Sequence, residues 1–84
     1  MKHATDATLD TVEDLLGAVR RVPGLTEKKR GVFYRKQKAF LHFHEDPSGM
    51  FADLRLGDAW ERYHVSEPEC RQTFLRRIAY SGQP

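Results

Sequence analysis

From Phe40 to Arg55, side chains of similar polarity recur at every second position, which is the period of a β-strand. One set of alternating positions is apolar throughout and predicts a face turned toward a hydrophobic core: Leu41, Phe43, Ala52 and Leu54. The other set combines aromatic rings with groups that can bind or titrate: Phe40, His42, His44, Phe51, Asp53 and Arg55. Two strands with one buried face and one exposed face are therefore predicted, and any binding chemistry is expected on the second face.

The segment between these strands, Asp46-Pro47-Ser48-Gly49, has the composition of a tight turn. Aspartate can accept a backbone hydrogen bond, proline fixes φ, and glycine adopts positive φ without steric cost. A four-residue loop here pairs Glu45 with Met50 and sets the register of the hairpin. It places His44 opposite Phe51 and His42 opposite Asp53, so that both imidazoles and the carboxylate share one face.

The remaining elements follow from helical spacing, from strand-like runs and from capping signals. The apolar residues Leu9, Val12, Leu16 and Val19 predict one helix from about Thr8 to Arg21, which Pro23-Gly24 ends. Residues 25–30 are predicted to be a polar connector. Strands are expected at about 31–35, 39–45 and 50–56, with a shorter fourth strand at 60–65.

The last helix is predicted to begin at Ser66-Glu67-Pro68-Glu69, with Ser66 as its N-cap and Glu69 completing a capping box. The fold class is therefore α+β, with the order α-β-β-β-(β)-α. A single antiparallel sheet of three to four strands is flanked by the N- and C-terminal helices. Both helices are expected on the Leu41/Phe43 face.

The chain has 84 residues, which predicts one domain spanning residues 1–84 with an ordered core at about 8–80. No apolar run approaches the roughly 20 residues that cross a bilayer, so no membrane partner is expected. A single cysteine, Cys70, excludes an intramolecular disulfide framework. With no secretory signal at the start of the sequence, a cytoplasmic location is expected.

Basic residues are concentrated between Arg20 and Lys38, where eight lysines and arginines face one acid, Glu27. Such a block can attract phosphate, which gives a nucleic-acid hypothesis. The alternative is that these side chains decorate a helix end, a loop and a turn that face water. Nucleic-acid-binding domains typically have a pI above 9, and the pI of this chain is 8.9. The interpretation as side chains that face water is therefore favoured.

The pair His42 and His44 projects from one side of a strand, with a spacing of roughly 6.5–7 Å. Two imidazoles with Asp53 as a third ligand would suit a divalent transition metal. The competing interpretation is an ordinary cross-strand contact in which His42 pairs with Asp53. No cofactor is otherwise indicated, and no nucleophile motif accompanies the histidines, so catalysis is not favoured.

The favoured function is a non-catalytic binding module that uses the second face of the sheet. That face comprises Phe40, His42, His44, Phe51, Asp53 and Arg55, extended by Arg35 and Lys38. Aromatic rings among basic residues can stack the bases of single-stranded nucleic acid. An exposed apolar patch also suits a protein partner or a second copy of the chain. Protein contact is favoured over nucleic acid.

Two segments resemble a known family. The helix that ends at Pro23-Gly24-Leu25, followed by the hairpin Val32-Phe33-Tyr34-Arg35-Lys36-Gln37-Lys38-Ala39-Phe40, is similar to the MmcQ/YjbR-like family of small bacterial domains. Phe51-Ala52-Asp53-Leu54-Arg55-Leu56 would occupy the following strand, so the likeness covers residues 12–56. The resemblance implies an α+β domain of sheet and helices with a DNA-binding role, and it implies no catalytic residues.

Overall fold

The computed structural model describes residues 2–81 and shows an α+β fold with one antiparallel sheet. Within that range there are six strands and three helices, which are β1 Lys2–His3, α1 Asp6–Asp10, α2 Glu13–Arg20, β2 Leu25–Lys29, β3 Val32–Arg35, β4 Lys38–Asp46, β5 Gly49–Leu56, β6 Ala59–His64 and α3 Pro68–Ser81. The predicted class and antiparallel sheet are confirmed. The predicted number of three to four strands is too low.

Five strands follow one another across the sheet in the order β2-β3-β4-β5-β6. The two-residue strand β1 lies on the same side of β4 as β3, farther along β4, where His3 pairs with His44. These two neighbours of β4, β3 and β1, meet at Phe43. The N–H of Phe43 donates to the carbonyl of Gly31, and its carbonyl accepts from the N–H of Ala4. The sequence predicted no structure for this first strand.

The β4–β5 hairpin has the predicted register along its whole length. Glu45 pairs with Met50, His44 with Phe51, Phe43 with Ala52, His42 with Asp53 and Leu41 with Leu54. In the turn, the carboxylate of Asp46 accepts hydrogen bonds from the backbone N–H and the hydroxyl of Ser48. The turn chemistry and the hydrophobic alternation therefore agree, and together they set which side chains share a face.

The β3–β4 connection is a two-residue turn in which Lys36 and Gln37 both have positive φ, at 51° and 68°. Just beyond it, Phe33 pairs with Leu41 but Tyr34 pairs with Ala39, which makes Phe40 an extra residue in β4. Such a bulge interrupts the alternation of faces. Phe40 is only 6% exposed and joins the hydrophobic core, so its predicted exposure on the second face is wrong.

The predicted N-terminal helix is in fact two helices, α1 and α2, separated at Thr11 and Val12. The hydroxyl of Thr11 donates to the carbonyl of Thr8, and Val12 leaves the helical region with φ −123° and ψ 25°. Local hydrogen bonding by threonine competes with the helix in this way. The break keeps the apolar stripe intact, because Leu9 and Val12 are both buried.

Residues 25–29, predicted to be part of a polar connector, form the edge strand β2, which pairs with β3. Its composition (Leu-Thr-Glu-Lys-Lys) hides it from sequence patterns, since an edge strand needs little apolar surface. The predicted N-cap of the last helix is also wrong. The helix begins at Pro68, and the hydroxyl of Ser66 instead accepts a hydrogen bond from the N–H of Met50 at 2.8 Å.

The core lies between one face of the sheet and the three helices, as the alternation predicts. Leu41, Phe43, Ala52 and Leu54 are at most 1% exposed and pack with buried residues of α1, α2 and α3 in one cluster. The rings of Phe43 and Phe74 meet edge to face, with centroids 6.1 Å apart. Among the described residues, no helix has the length and apolar character needed to cross a membrane.

Candidate functional site

The opposite face of the sheet carries rings and charged side chains, and none of its residues is fully buried. We call this surface the open face. It comprises the outward side chains of the strands: His3, Lys28, Lys29, Val32, Tyr34, His42, His44, Phe51, Asp53, Arg55, Trp60, Arg62 and His64. The predicted placement of His42, His44, Phe51, Asp53 and Arg55 on a common face is confirmed by the pairing register.

Three imidazoles and one indole ring meet at the centre of the open face. The ring centroid of His3 lies 5.0 Å from that of His44 and 5.8 Å from that of His42. The rings of His42 and His44 are 6.1 Å apart, and Trp60 lies 5.3 Å from His42 on the other side. Strands β1, β4 and β6 thus contribute rings to one aromatic cluster.

Asp53 is bound by Arg62 and not by the histidine that faces it across the ladder. The guanidinium of Arg62 donates to both carboxylate oxygens of Asp53, at 2.7 and 2.9 Å. Nε2 of His44 lies 3.3 Å from the same carboxylate, whereas Nε2 of His42 is buried and has no hydrogen-bond partner. The predicted side-chain pair between His42 and Asp53 is therefore wrong, although their backbones are paired.

Burial sets the charge state of this cluster. The two hydrogen bonds from Arg62 hold the pKa of Asp53 below its usual value, so Asp53 is a carboxylate at neutral pH. Burial lowers the pKa of His42, and the neighbouring imidazoles of His3 and His44 lower it further. Burial also lowers the pKa of His44, against the opposing attraction of Asp53. His42 and His44 are consequently neutral at pH 7.

The imidazoles come together, but their arrangement gives no support to the metal hypothesis. Within residues 2–81, no three His, Cys, Asp or Glu side chains are placed so that they could hold one metal ion. Asp53, the proposed oxygen ligand, is already engaged by Arg62, and His44 is turned toward that carboxylate. The aromatic rings of these residues are therefore a better indication of function than their capacity to bind a metal.

The basic residues between Arg20 and Lys38 do not share one surface, because they lie on two sides of the molecule. Arg20 binds Glu13 and Glu27, and Arg30 binds the carboxylates of α1 and α2, all on the helix side. Lys28 turns instead to the open face, with its ammonium 5.5 Å from the centre of the Tyr34 ring. The block is therefore not one phosphate-binding surface.

The other two residues predicted to extend the face, Arg35 and Lys38, pair with each other and lie on the same side of the sheet as Phe33 and Phe40, so their predicted place on the open face is wrong. The guanidinium of Arg35 stacks over the ring of Phe40 at 4.3 Å. A cleft of about 470 Å³ opens here between the β3–β4 turn and the end of β5. Arg55 connects the cleft with the centre of the open face, since its guanidinium lies 5.9 Å from the ring of Trp60.

Sequence reasoning missed His3, Trp60 and Arg62 as members of the surface. Trp60, Arg62 and His64 do alternate along a run that was predicted to be a strand, so their shared face was readable once its register with β5 was known. His3 gave no signal, because a two-residue strand has no periodicity. Its place depends on the pairing with His44 alone.

Comparisons of the chain with protein-family models, with curated proteins and with solved structures found no significant match. The resemblance to the MmcQ/YjbR-like family thus stays a prediction.

We expect the folded protein to lose stability as pH falls from 7 to 5, through His42 and His44. Unfolded histidine titrates near pH 6.5, and the folded chain resists protonation because burial lowers both pKa values. The contribution is complete above pH 6.5 and declines as the unfolded chain takes up protons. Urea unfolding measured at several pH values should show this decline, and His42→Phe should make it shallower. An unchanged pH dependence in His42→Phe would contradict the assignment.

Proposed function

We propose that this protein is a non-catalytic binding module whose open face binds single-stranded nucleic acid. The single observation that carries the proposal is the segregation of side chains between the two sides of the sheet. Aromatic rings and unpaired cations lie on the side that no helix covers, while nearly all carboxylate ion pairs lie on the helix side. A polyanion with flat bases fits the first side better than the second.

The charge segregation follows from the ion pairs. Other than the contacts of Asp53, the ion pairs among the described residues join groups of the helix side, such as Arg71 with Asp14 and Arg77 with Glu61. On the open face, Asp53 is neutralised by Arg62. Lys28, Lys29 and Arg55 make no ion pair with any described residue. They leave a local excess of positive charge that favours phosphate.

The rings of the open face are accessible and are spaced among these cations. Trp60 is 44% exposed in a protein whose other large apolar side chains are mostly buried. Tyr34 lies beside Lys28, and Trp60 lies beside Arg55, so a ring and a cation occur together at two separate places. Stacking of a base on such a ring contributes about 1–3 kcal/mol and tolerates any sequence.

The same geometry argues against catalysis by the histidines. The hydroxyl of Ser48 donates to Asp46 in the β4–β5 turn, away from the imidazoles. Cys70 lies on α3, which packs on the other side of the sheet. No hydrogen bond joins either nucleophile to His42 or His44 in the described part of the chain, and general base catalysis requires hydrogen-bond distance.

The proposal is tested by fluorescence anisotropy with a labelled single-stranded oligonucleotide of mixed sequence. Binding should weaken with salt, because phosphate contacts release counterions. Trp60→Ala should weaken binding roughly 5- to 150-fold through the loss of stacking. Lys28→Ala combined with Arg55→Ala should reduce the slope of log affinity against log salt by about 1.4, since each single-strand phosphate contact contributes about 0.7.

Arg76→Ala is the matched control, because Arg76 is an exposed arginine on α3 at the far side of the molecule. It should leave affinity and salt slope unchanged. The proposal fails if the oligonucleotide does not bind at low salt, or if Arg76→Ala and Arg55→Ala weaken binding equally. Sedimentation of the same samples then shows whether the open face joins two copies of the chain instead.

A further inference from the structure

The cleft beside the β3–β4 turn has a charge composition unlike the rest of the described surface. Four of its lining side chains are cations, Arg35, Lys36, Lys38 and Arg55, and none of the described residues that line it is a carboxylate. Its apolar wall is formed by Ala39, Phe40 and Leu56. Lys36 and Lys38 make no ion pair with any described residue, so their charges are available to a ligand.

Two irregular features of the backbone build this cleft. The bulge at Phe40 bends β4 away from a regular ladder and buries the phenyl ring, on which Arg35 stacks. The turn at Lys36 and Gln37 holds two residues other than glycine at positive φ, where the sequence Asn-Gly would be unstrained. Backbone strain of this kind is concentrated at binding sites.

The cleft adjoins the open face at Arg55. Arg55 belongs to both surfaces, because it lines the cleft and also lies beside Trp60. A terminal phosphate monoester carries about −1.5 to −2 charges at pH 7, whereas each internal phosphodiester carries one. The cations Lys36, Lys38 and Arg55 therefore favour the monoester, and Phe40 and Leu56 offer apolar surface to the nucleoside attached to it.

We propose that the cleft binds a phosphate monoester carried by a nucleoside, and that the module thereby prefers nucleic-acid strands with a phosphorylated end. This inference rests on the proposed function for its natural ligand, a strand end, and a free mononucleotide would present the same chemistry. Charge-assisted hydrogen bonds from lysine and arginine to phosphate are among the strongest in proteins. We expect a phosphorylated end to raise oligonucleotide affinity about tenfold.

The experiment compares five probes by anisotropy and by NMR titration of backbone amides. They are an oligonucleotide with hydroxyl ends, the same oligonucleotide with a 5′- or a 3′-phosphate, adenosine monophosphate, and adenosine. The phosphorylated probes should shift amides at Lys36–Phe40 and Arg55–Gly57, and adenosine should not. Lys36→Ala with Lys38→Ala should abolish the tenfold preference while changing affinity for the hydroxyl-ended strand less than twofold.

Lys28→Ala is the matched control, since Lys28 lies on the open face and does not line the cleft. It should weaken both oligonucleotides equally and leave the preference intact. If hydroxyl-ended strands bind and a phosphate at neither end adds affinity, the cleft proposal is overturned and the proposed function stands. If adenosine monophosphate binds the cleft but no oligonucleotide binds, the strand-end proposal and the proposed function are overturned, and a mononucleotide site remains.

Discussion

Phe43→Ala is expected to lower the free energy of unfolding by about 3–5 kcal/mol, the usual loss when a buried phenyl ring becomes a cavity. Phe43 is 1% exposed, and its ring meets the edge of Phe74 on α3. A chain of 84 residues has a total stability of roughly 4–13 kcal/mol, so this single change removes a large part of it. Circular dichroism should show a melting temperature lower by more than about 12 °C.

Phe51→Ala is the matched control for Phe43→Ala. It removes the same side chain from the same hairpin, but from the open face, where Phe51 is half-buried and stacks on His64 at 4.8 Å. Its loss should be less than half that of Phe43→Ala, because less apolar surface returns to water. Equal losses would mean that the open face is covered as thoroughly as the core, contrary to the arrangement described here.

Gly49→Ala is expected to be the most damaging of the glycine substitutions. Gly49 has φ of 137°, and an added Cβ would lie 2.5 Å from Oγ of Ser66 and 2.7 Å from Nε2 of His64. Moving Ser66 would break its hydrogen bond with the N–H of Met50, which joins the start of β5 to the segment after β6. The combined loss should be roughly 2–4 kcal/mol in urea unfolding, from backbone strain and the lost bond.

Gly57→Ala separates these two causes. Gly57 also has positive φ, at 65°, but an added Cβ would meet nothing within 4 Å. It should therefore cost only the backbone strain of about 1–2 kcal/mol. If Gly57→Ala is as damaging as Gly49→Ala, the contacts with Ser66 and His64 contribute nothing. Ser66→Ala should reproduce the hydrogen-bond part of the Gly49→Ala loss.

The β4–β5 hairpin could be predicted from sequence because two independent signals agreed on it. Alternation gave the faces, and Asp46-Pro47-Ser48-Gly49 gave the register, so the positions of His42, His44 and Asp53 followed. The same reasoning failed at Phe40, because alternation assumes a regular ladder. A bulge depends on the pairing with the partner strand, and nothing in the local sequence of β4 indicates one.

The composition of the site was harder to predict than its location. His3 enters through a two-residue strand, and Lys28 through an edge strand of mostly polar residues, neither of which has a usable period. Asp53 was predicted to meet His42 because their backbones are opposite each other. Its carboxylate instead takes the bidentate partner, Arg62, since a guanidinium matches both oxygens and an imidazole does not.

The alternation of β4 and β5 also bears on how this protein can change over evolutionary time. Adjacent residues in these strands are under different constraints, because one packs under the helices and the next lies on the open face. Specificity can therefore drift at every second position while the interior stays the same. Replacement of Tyr34, His42 or Trp60 could thus change what the open face is proposed to bind, while the fold stays stable.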